Sequence, residues 1–132
     1  MNGVLVDTSV WVSYFRNGRT DKKVADALEY LLTGDEAVVN DVILSELIPF
    51  MNVRGETDCV DALAALHVPS LEINWTGIRG MQETCLRNGI NKVGLPDLII
   101  AQQAICLDIP LFSLDRHFTL MSNHIGLKTW PK

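Results

Sequence analysis

The segment GVLVDTSVW, residues 3–11, places an acidic residue between a short apolar run and a helical pattern. The run from Gly3 to Val6 is rich in β-branched residues and is typical of a strand buried on both faces. Asp7 follows at the carboxyl end of that strand. The next residues, Thr8 to Phe15, have the apolar spacing of a short helix. A buried strand that leads directly into a helix favours an α/β fold.

The same alternation continues along the chain and extends this interpretation. Pro49 follows the helix predicted over 42–48 and either kinks or ends it, because proline removes a backbone donor. Short apolar strands separated by helices indicate parallel strands joined by crossover helices. The sequence therefore predicts an α/β protein, a three-layer α/β/α sandwich with a central parallel sheet of about five strands. Helices are predicted over 22–32, 42–48, 57–66, 75–86 and 96–107, and further strands at 37–39, 70–73, 111–114 and 126–130.

Length and composition limit the class of protein. A chain of 132 residues with 48% hydrophobic and 20% charged residues predicts a single globular domain over 1–132. It has no apolar run of about 18 residues and no basic signal segment, so we expect no membrane association and a cytoplasmic location. Cys59, Cys85 and Cys106 lack metal or disulfide spacing and are expected to be reduced core thiols.

The net charge of −5 excludes a protein that binds nucleic acid simply by being basic. An acidic chain needs another means of holding phosphate. A bound divalent cation would supply it, and such a cation would be held by acidic side chains.

Four acids occur at positions that suit a metal site, although each has a structural alternative. Asp7 and Asp115 follow strands and could be helix N-caps, while Asp97 could be a first-turn acid favoured by the helix dipole. Glu46 fits these alternatives less well because it lies at the edge of an apolar helix face. Two carboxylates about 4 Å apart repel by roughly 4 kcal/mol at an effective dielectric of about 20. Mg²⁺, or Mn²⁺ as a substitute, would offset that repulsion.

Four short motifs, in this order and at these separations, resemble the PIN-domain nucleases, and within them the VapC-like toxins of type II toxin-antitoxin modules. Each motif alone is weak, but together they span essentially the whole chain. They are Val6-Asp7-Thr8-Ser9-Val10-Trp11, Ser45-Glu46-Leu47, Pro96-Asp97-Leu98-Ile99-Ile100-Ala101 and Ser113-Leu114-Asp115-Arg116-His117-Phe118.

The resemblance implies a metal-dependent endoribonuclease that uses Mg²⁺ to hydrolyse RNA and so inhibits translation and growth. The products would carry a 5′-phosphate and a 3′-hydroxyl. A cognate VapB-like antitoxin and a homodimer are the implied partners. Asp7, Glu46, Asp97 and Asp115 would be the catalytic and metal-binding acids, and Ser9 and Ser113 would orient them or the attacking water.

Contacts to RNA phosphates away from the metal require local basic residues. One candidate group follows the first helix and consists of Arg16, Arg19, Lys22 and Lys23. Arg116, next to Asp115, is another candidate. For both, the alternative is an exposed surface residue without a function. The histidines show no metal-ligand spacing and are interpreted as structural.

Three alternative functions fit the sequence less well. A phosphatase with Asp7 as nucleophile would need a second acid where Ser9 stands, and a receiver domain would need an adjacent acidic pair after the first strand. A PIN-like scaffold that binds RNA or a protein without cutting remains the non-enzymatic alternative.

Overall fold

The computed structural model describes residues 2–16 and 21–131. In this part of the chain three short parallel strands form a sheet in the order β2-β1-β3. The central strand is fully buried, as its apolar sequence predicted. The strands are β1 (Val4–Val6), β2 (Ala37–Val38) and β3 (Leu111–Phe112), with Leu5 opposite both Val38 and Leu111.

Helices connect the strands, and side chains at their N-termini explain where several of them begin. Asp7, Asp21, Asn40, Asn74 and Asp115 each accept a hydrogen bond from a backbone N–H of the helix that follows. The helices are α1 (Thr8–Tyr14), α2 (Lys22–Thr33), α3 (Asp41–Val53), α4 (Thr57–Ala64), α5 (Trp75–Arg87), α6 (Leu95–Leu107) and α7 (Arg116–Ser122).

The sheet is narrower than the five strands expected. Single parallel bridges at its two edges, Val38 with His67 and Leu111 with Thr129, replace the outer strands among the described residues. The strand predicted over 70–73 is wrong, because the chain meets the sheet at His67 instead. A proline, which has no N–H to donate to a ladder, follows each bridge within two residues, at Pro69 and Pro131.

Helix α3 continues through Pro49 to Val53, so the alternative that the proline ends this helix is wrong. Proline cannot donate to the carbonyl of Ser45 one turn earlier. Both residues are exposed, so water can hydrogen-bond to the carbonyl that the proline leaves without a partner. The continuous helix keeps Glu46 and Phe50 one turn apart on the same face.

The core forms around β1 and helix α6. Trp11 is 2% exposed, and its indole nitrogen donates to the Val6 carbonyl at 3.1 Å, which fixes α1 against the end of β1. Cys85 is buried as expected, but Cys106 is exposed, so the prediction that all three thiols lie in the core is wrong. No helix in the described ranges is both long enough and apolar enough to cross a membrane.

Candidate active site

Asp7 lies where two neighbouring strands end, and its carboxylate is held by hydroxyl groups from both. The Asp7 backbone N–H donates to the Phe112 carbonyl at 2.9 Å, which aligns the ends of β1 and β3. The side-chain hydroxyls of Ser9 and Ser113 both donate to Asp7 Oδ2 at 2.8 Å. Asp7 is only 5% exposed, so its charge depends on these donors in place of water.

The same two serines also accept hydrogen bonds from the loop after β3. Ser9 Oγ accepts from the Leu114 backbone N–H at 2.9 Å, and Ser113 Oγ accepts from the Asp115 N–H at 3.0 Å. We call Asp7, Ser9 and Ser113 the serine clamp. Among the described residues, all hydrogen bonds to the Asp7 carboxylate reach Oδ2, which leaves Oδ1 as the oxygen that can bind a ligand.

Asp115 begins helix α7 and also contacts a histidine. Its Oδ1 accepts from the His117 backbone N–H at 2.9 Å, and His117 Nδ1 lies 3.0 Å from the same oxygen. Asp115 is therefore an N-cap, which was the structural alternative to a metal-binding role. Both contacts use Oδ1, so Oδ2 remains able to bind a metal ion.

Glu46 is exposed on α3, and the hydroxyl of Thr8 donates to its Oε1 at 2.8 Å. Thr8 is the residue after Asp7, so this contact brings the carboxylate of α3 to the start of α1. Helix periodicity predicts Glu46 one turn beyond Val42 and Ile43, at the edge of an apolar face. In the structure Ile43 is buried and Val42 is half-buried, while Glu46 itself is exposed.

Asp97, in the first turn of α6, lies close enough to the other three acids to sense their charges. Burial and then the carboxylates of Asp115, Asp7 and Glu46 raise the pKa of Asp97 from 3.8 to about 6, while His117 acts in the opposite direction. The fold thus brings all four acids predicted from the sequence into one electrostatically coupled group.

Carboxylates can influence one another's charge at distances that are too long for them to bind the same metal ion. In residues 2–16 and 21–131 no three His, Cys, Asp or Glu side chains are arranged so that they could hold a metal ion as they stand. The donors nevertheless fit Mg²⁺, which prefers carboxylate oxygen, keeps several waters and needs only one or two direct carboxylates.

The basic residues predicted to bind RNA lie at the surface. Arg16, Lys22, Lys23 and Arg116 are exposed, and Arg19 lies outside the described residues. Of these, Arg116 stands nearest the acids in sequence, since it follows Asp115 at the first position of α7.

The sequence gives no sign of some polar contacts that hold the site together. Thr8 was expected only as a possible N-cap of the first helix, and its contact with Glu46 was not expected. Asn40, fully buried, caps α3 and donates to Gln103 Oε1 on α6 at 2.7 Å, which joins the helices that carry Glu46 and Asp97. The sequence predicts Asn40 or Asp41 as the cap of this helix, and the structure confirms Asn40, but the sequence gives no sign of the contact with Gln103.

Comparison with known families identifies the fold. The family model described as the PIN domain matches residues 4–123, so the chain belongs to the PIN-domain family. No curated protein sequence matches the chain.

Solved structures show the same fold over nearly the whole chain. VapBC2 from Rickettsia felis, bound to a DNA fragment from its promoter, contains a chain that is 19% identical, with a TM-score of 0.73 and coverage of 96% of this chain and 98% of that one. A chain of DNA-bound VapBC from Salmonella typhimurium is 16% identical, with a TM-score of 0.73 and coverage of 98% of this chain and 97% of that one. The sarcin-ricin loop cleaving toxin VapC20 of Mycobacterium tuberculosis is 17% identical, with a TM-score of 0.62 and coverage of 89% of this chain and 94% of that one.

Proposed function

We propose that this protein is a Mg²⁺-dependent endoribonuclease and the toxin of a toxin-antitoxin pair. The observation that carries the proposal is the serine clamp on Asp7 beside the coupled acid Asp97. A buried carboxylate with one oxygen fixed by two hydroxyls presents its other oxygen in a defined direction. Burial first, and then repulsion by the neighbouring carboxylates, raise the pKa of Asp97, and a bound cation would relieve the repulsion.

In this proposal Asp7 and Asp97 bind the metal directly, and Asp115 and Glu46 bind it directly or through water. Ser9 and Ser113 prevent the Asp7 carboxylate from rotating, and Thr8 restrains Glu46 in the same way. When bound, Mg²⁺ lowers the pKa of a water and neutralises charge on the phosphate being attacked. No protein nucleophile is needed, because water attacks and the leaving group is the ribose 3′-oxygen. The products then carry a 5′-phosphate and a 3′-hydroxyl.

A second proposal concerns the protein partner. A groove of about 630 Å³ runs between α1, α3 and α4, lined on one side by Val12, Phe15 and Phe50. Arg54 and Glu56 also line it and form an ion pair at 2.6 Å, so their charges balance each other. The groove begins near the Thr8–Glu46 contact, since Val12 and Phe50 lie one turn beyond those residues. An antitoxin segment with apolar side chains fits this groove. Two of the structural relatives are VapBC complexes, which supports such a partner.

A catalytically silent scaffold is the competing function, and one observation favours it. The described residues do not contain a preformed group of three metal ligands. A scaffold would bind RNA or a protein partner at the same surface without requiring the acids to meet around an ion.

An assay of RNA cleavage separates the two functions. Purified protein is incubated with a structured RNA in Mg²⁺ and, separately, in EDTA. Cleavage in Mg²⁺ alone that is lost in Asp7→Asn and Asp97→Asn supports the nuclease. Asp61→Asn is the matched control, because Asp61 is an exposed acid on α4, away from the four acids. Equal cleavage by all three variants would refute the assigned site, and no cleavage by the wild type would favour the scaffold.

The partner and the oligomeric state have separate tests. Co-expression with the product of the adjacent gene should yield a stable complex and relieve growth arrest, and lack of binding would contradict the toxin assignment. Light scattering of the isolated chain should give the mass of a homodimer, and a monomer at all concentrations would contradict that part.

A further inference from the structure

A second cavity borders the serine clamp but takes no part in the roles assigned so far. It has a volume of about 380 Å³ and lies between the end of β3, helix α7 and the segment that follows the Thr129 bridge. Ser113 belongs both to this cavity and to the serine clamp, so the two sites share a wall. The lining includes Ser113, Leu114, Phe118, Thr119, Thr129 and Trp130.

The aromatic wall of the cavity is held in place by backbone and ring contacts. Leu111 donates to the Lys128 carbonyl at 2.9 Å, and Trp130 donates to the Leu111 carbonyl at 2.9 Å, so the segment is attached to β3 on both sides of the bridge. The Trp130 indole packs on Phe112 with 5.0 Å between ring centroids and 60° between the planes. The indole is only half-buried, and it presents a fixed aromatic surface to the cavity.

The remaining walls supply polar groups of a kind that suits a nucleotide. Thr119 and Thr129 bring hydroxyls, which donate and accept hydrogen bonds. Arg116 precedes Thr119 by three residues on α7, and residues at this spacing share a helix face. Exposed Arg116 therefore shares a face of α7 with Thr119, which lines the cavity.

We propose that this cavity binds the base of a nucleotide adjacent to the cleaved phosphate of single-stranded RNA, with Trp130 as the stacking surface. The inference rests on the proposed nuclease function and adds a subsite to it. A base stacks on an aromatic ring, the threonine hydroxyls contact its polar edge, and Arg116 contacts a neighbouring phosphate. The wall shared through Ser113 keeps that nucleotide next to the carboxylates, as a substrate strand requires.

Nuclear magnetic resonance of the tryptophan indole N–H groups tests the subsite without requiring cleavage. The protein has three tryptophans, Trp11, Trp75 and Trp130, and Trp75→Phe and Trp130→Phe variants assign their signals. The nucleoside 5′-monophosphates of adenine, guanine, cytosine and uracil are titrated in the presence of Mg²⁺. We expect the Trp130 signal to shift to saturation with at least one of them, while the signals of buried Trp11 and exposed Trp75 stay in place. An unchanged Trp130 signal, or equal shifts of Trp75 and Trp130, would overturn the proposal.

Cleavage kinetics supply the second test. Because base–aromatic stacking is worth about 1–3 kcal/mol, Trp130→Ala should raise KM for a single-stranded RNA by roughly 5- to 150-fold with a small effect on kcat. Trp75→Ala is the matched control, since Trp75 is 49% exposed at the start of α5 and lies outside the cavity. If Trp130→Ala melts below the assay temperature, Thr119→Val takes its place. This variant replaces the hydroxyl with a methyl group of similar size, and it should raise KM for an RNA that carries the base that shifts the Trp130 signal.

The outcomes distinguish this inference from the proposed function on which it rests. A protein that cleaves RNA, with KM unchanged in Trp130→Ala and Thr119→Val, retains the nuclease function and loses the subsite. A protein that does not cleave but whose Trp130 signal shifts on nucleotide binding retains the subsite and loses the nuclease function.

Discussion

Replacing Asp97 with asparagine should stabilise the metal-free protein at neutral pH. The carboxylate has a pKa of about 6 in the folded protein against an ordinary value of 3.8, because it is half-buried and lies near Asp115, Asp7 and Glu46. A pKa shift of about 2 units is worth roughly 3 kcal/mol, and solvent screening of a half-buried group reduces this to about 1–2 kcal/mol. Asparagine has nearly the same shape and carries no charge, so it removes this penalty.

The sign of the pH dependence follows from the raised pKa. The folded protein holds its proton on Asp97 more tightly than the unfolded chain, so stability falls as pH rises from about 4 to about 6. Above that window the charge penalty is fully present, and below it both states are protonated. The advantage of Asp97→Asn should therefore be largest at neutral pH and should disappear near pH 4.

Thermal or urea unfolding in EDTA measures the effect directly. For 132 residues, about 1–2 kcal/mol corresponds to a rise in Tm of roughly 4–7 °C at neutral pH. Addition of Mg²⁺ should raise the Tm of the wild type and have a smaller effect on Asp97→Asn, because a ligand stabilises only the state that binds it. Asp61→Asn serves as the control and should change neither value. A neutral-pH Tm of Asp97→Asn at or below that of the wild type would refute the reasoning.

Three further predictions concern parts of the fold outside the four acids. Asn40→Ala should reduce the free energy of unfolding by roughly 2–4 kcal/mol in urea, because it removes the α3 cap and leaves Gln103 Oε1 buried without its donor; a loss below about 0.5 kcal/mol would contradict this. Pro49→Ala should raise the free energy of unfolding by about 1–2 kcal/mol, since it restores a helix hydrogen bond at some cost in unfolded-chain entropy, and a destabilised variant would be the opposite result. A thiol reagent should modify exposed Cys106 in the folded protein and Cys85 only after unfolding, because burial shields Cys85 and raises its pKa; rapid reaction of Cys85, followed by mass spectrometry, would disagree.

The sequence by itself determined the elements that depend on local patterns. The apolar run before Asp7 predicted β1, and helix periodicity with capping residues predicted α2, α5 and α6 nearly to their ends. Periodicity and propensity act over a few residues, so they can be read directly from the chain. The four acids were also selected from the sequence, because each lies in a short motif whose order along the chain matches the family.

Only the tertiary structure decided which of these residues meet. The serine clamp joins residues 104 and 106 positions apart, and the Thr8–Glu46 contact spans 38. At the outer edge of the sheet, His67 pairs with Val38, whereas the sequence predicted a strand over 70–73. Which residue pairs with Val38 depends on the packing of the whole chain. Such contacts form between segments that are distant in sequence, and no local pattern specifies them. The coupling of Asp97 to three other carboxylates has the same origin, since it exists only once four separate elements share one edge of the sheet.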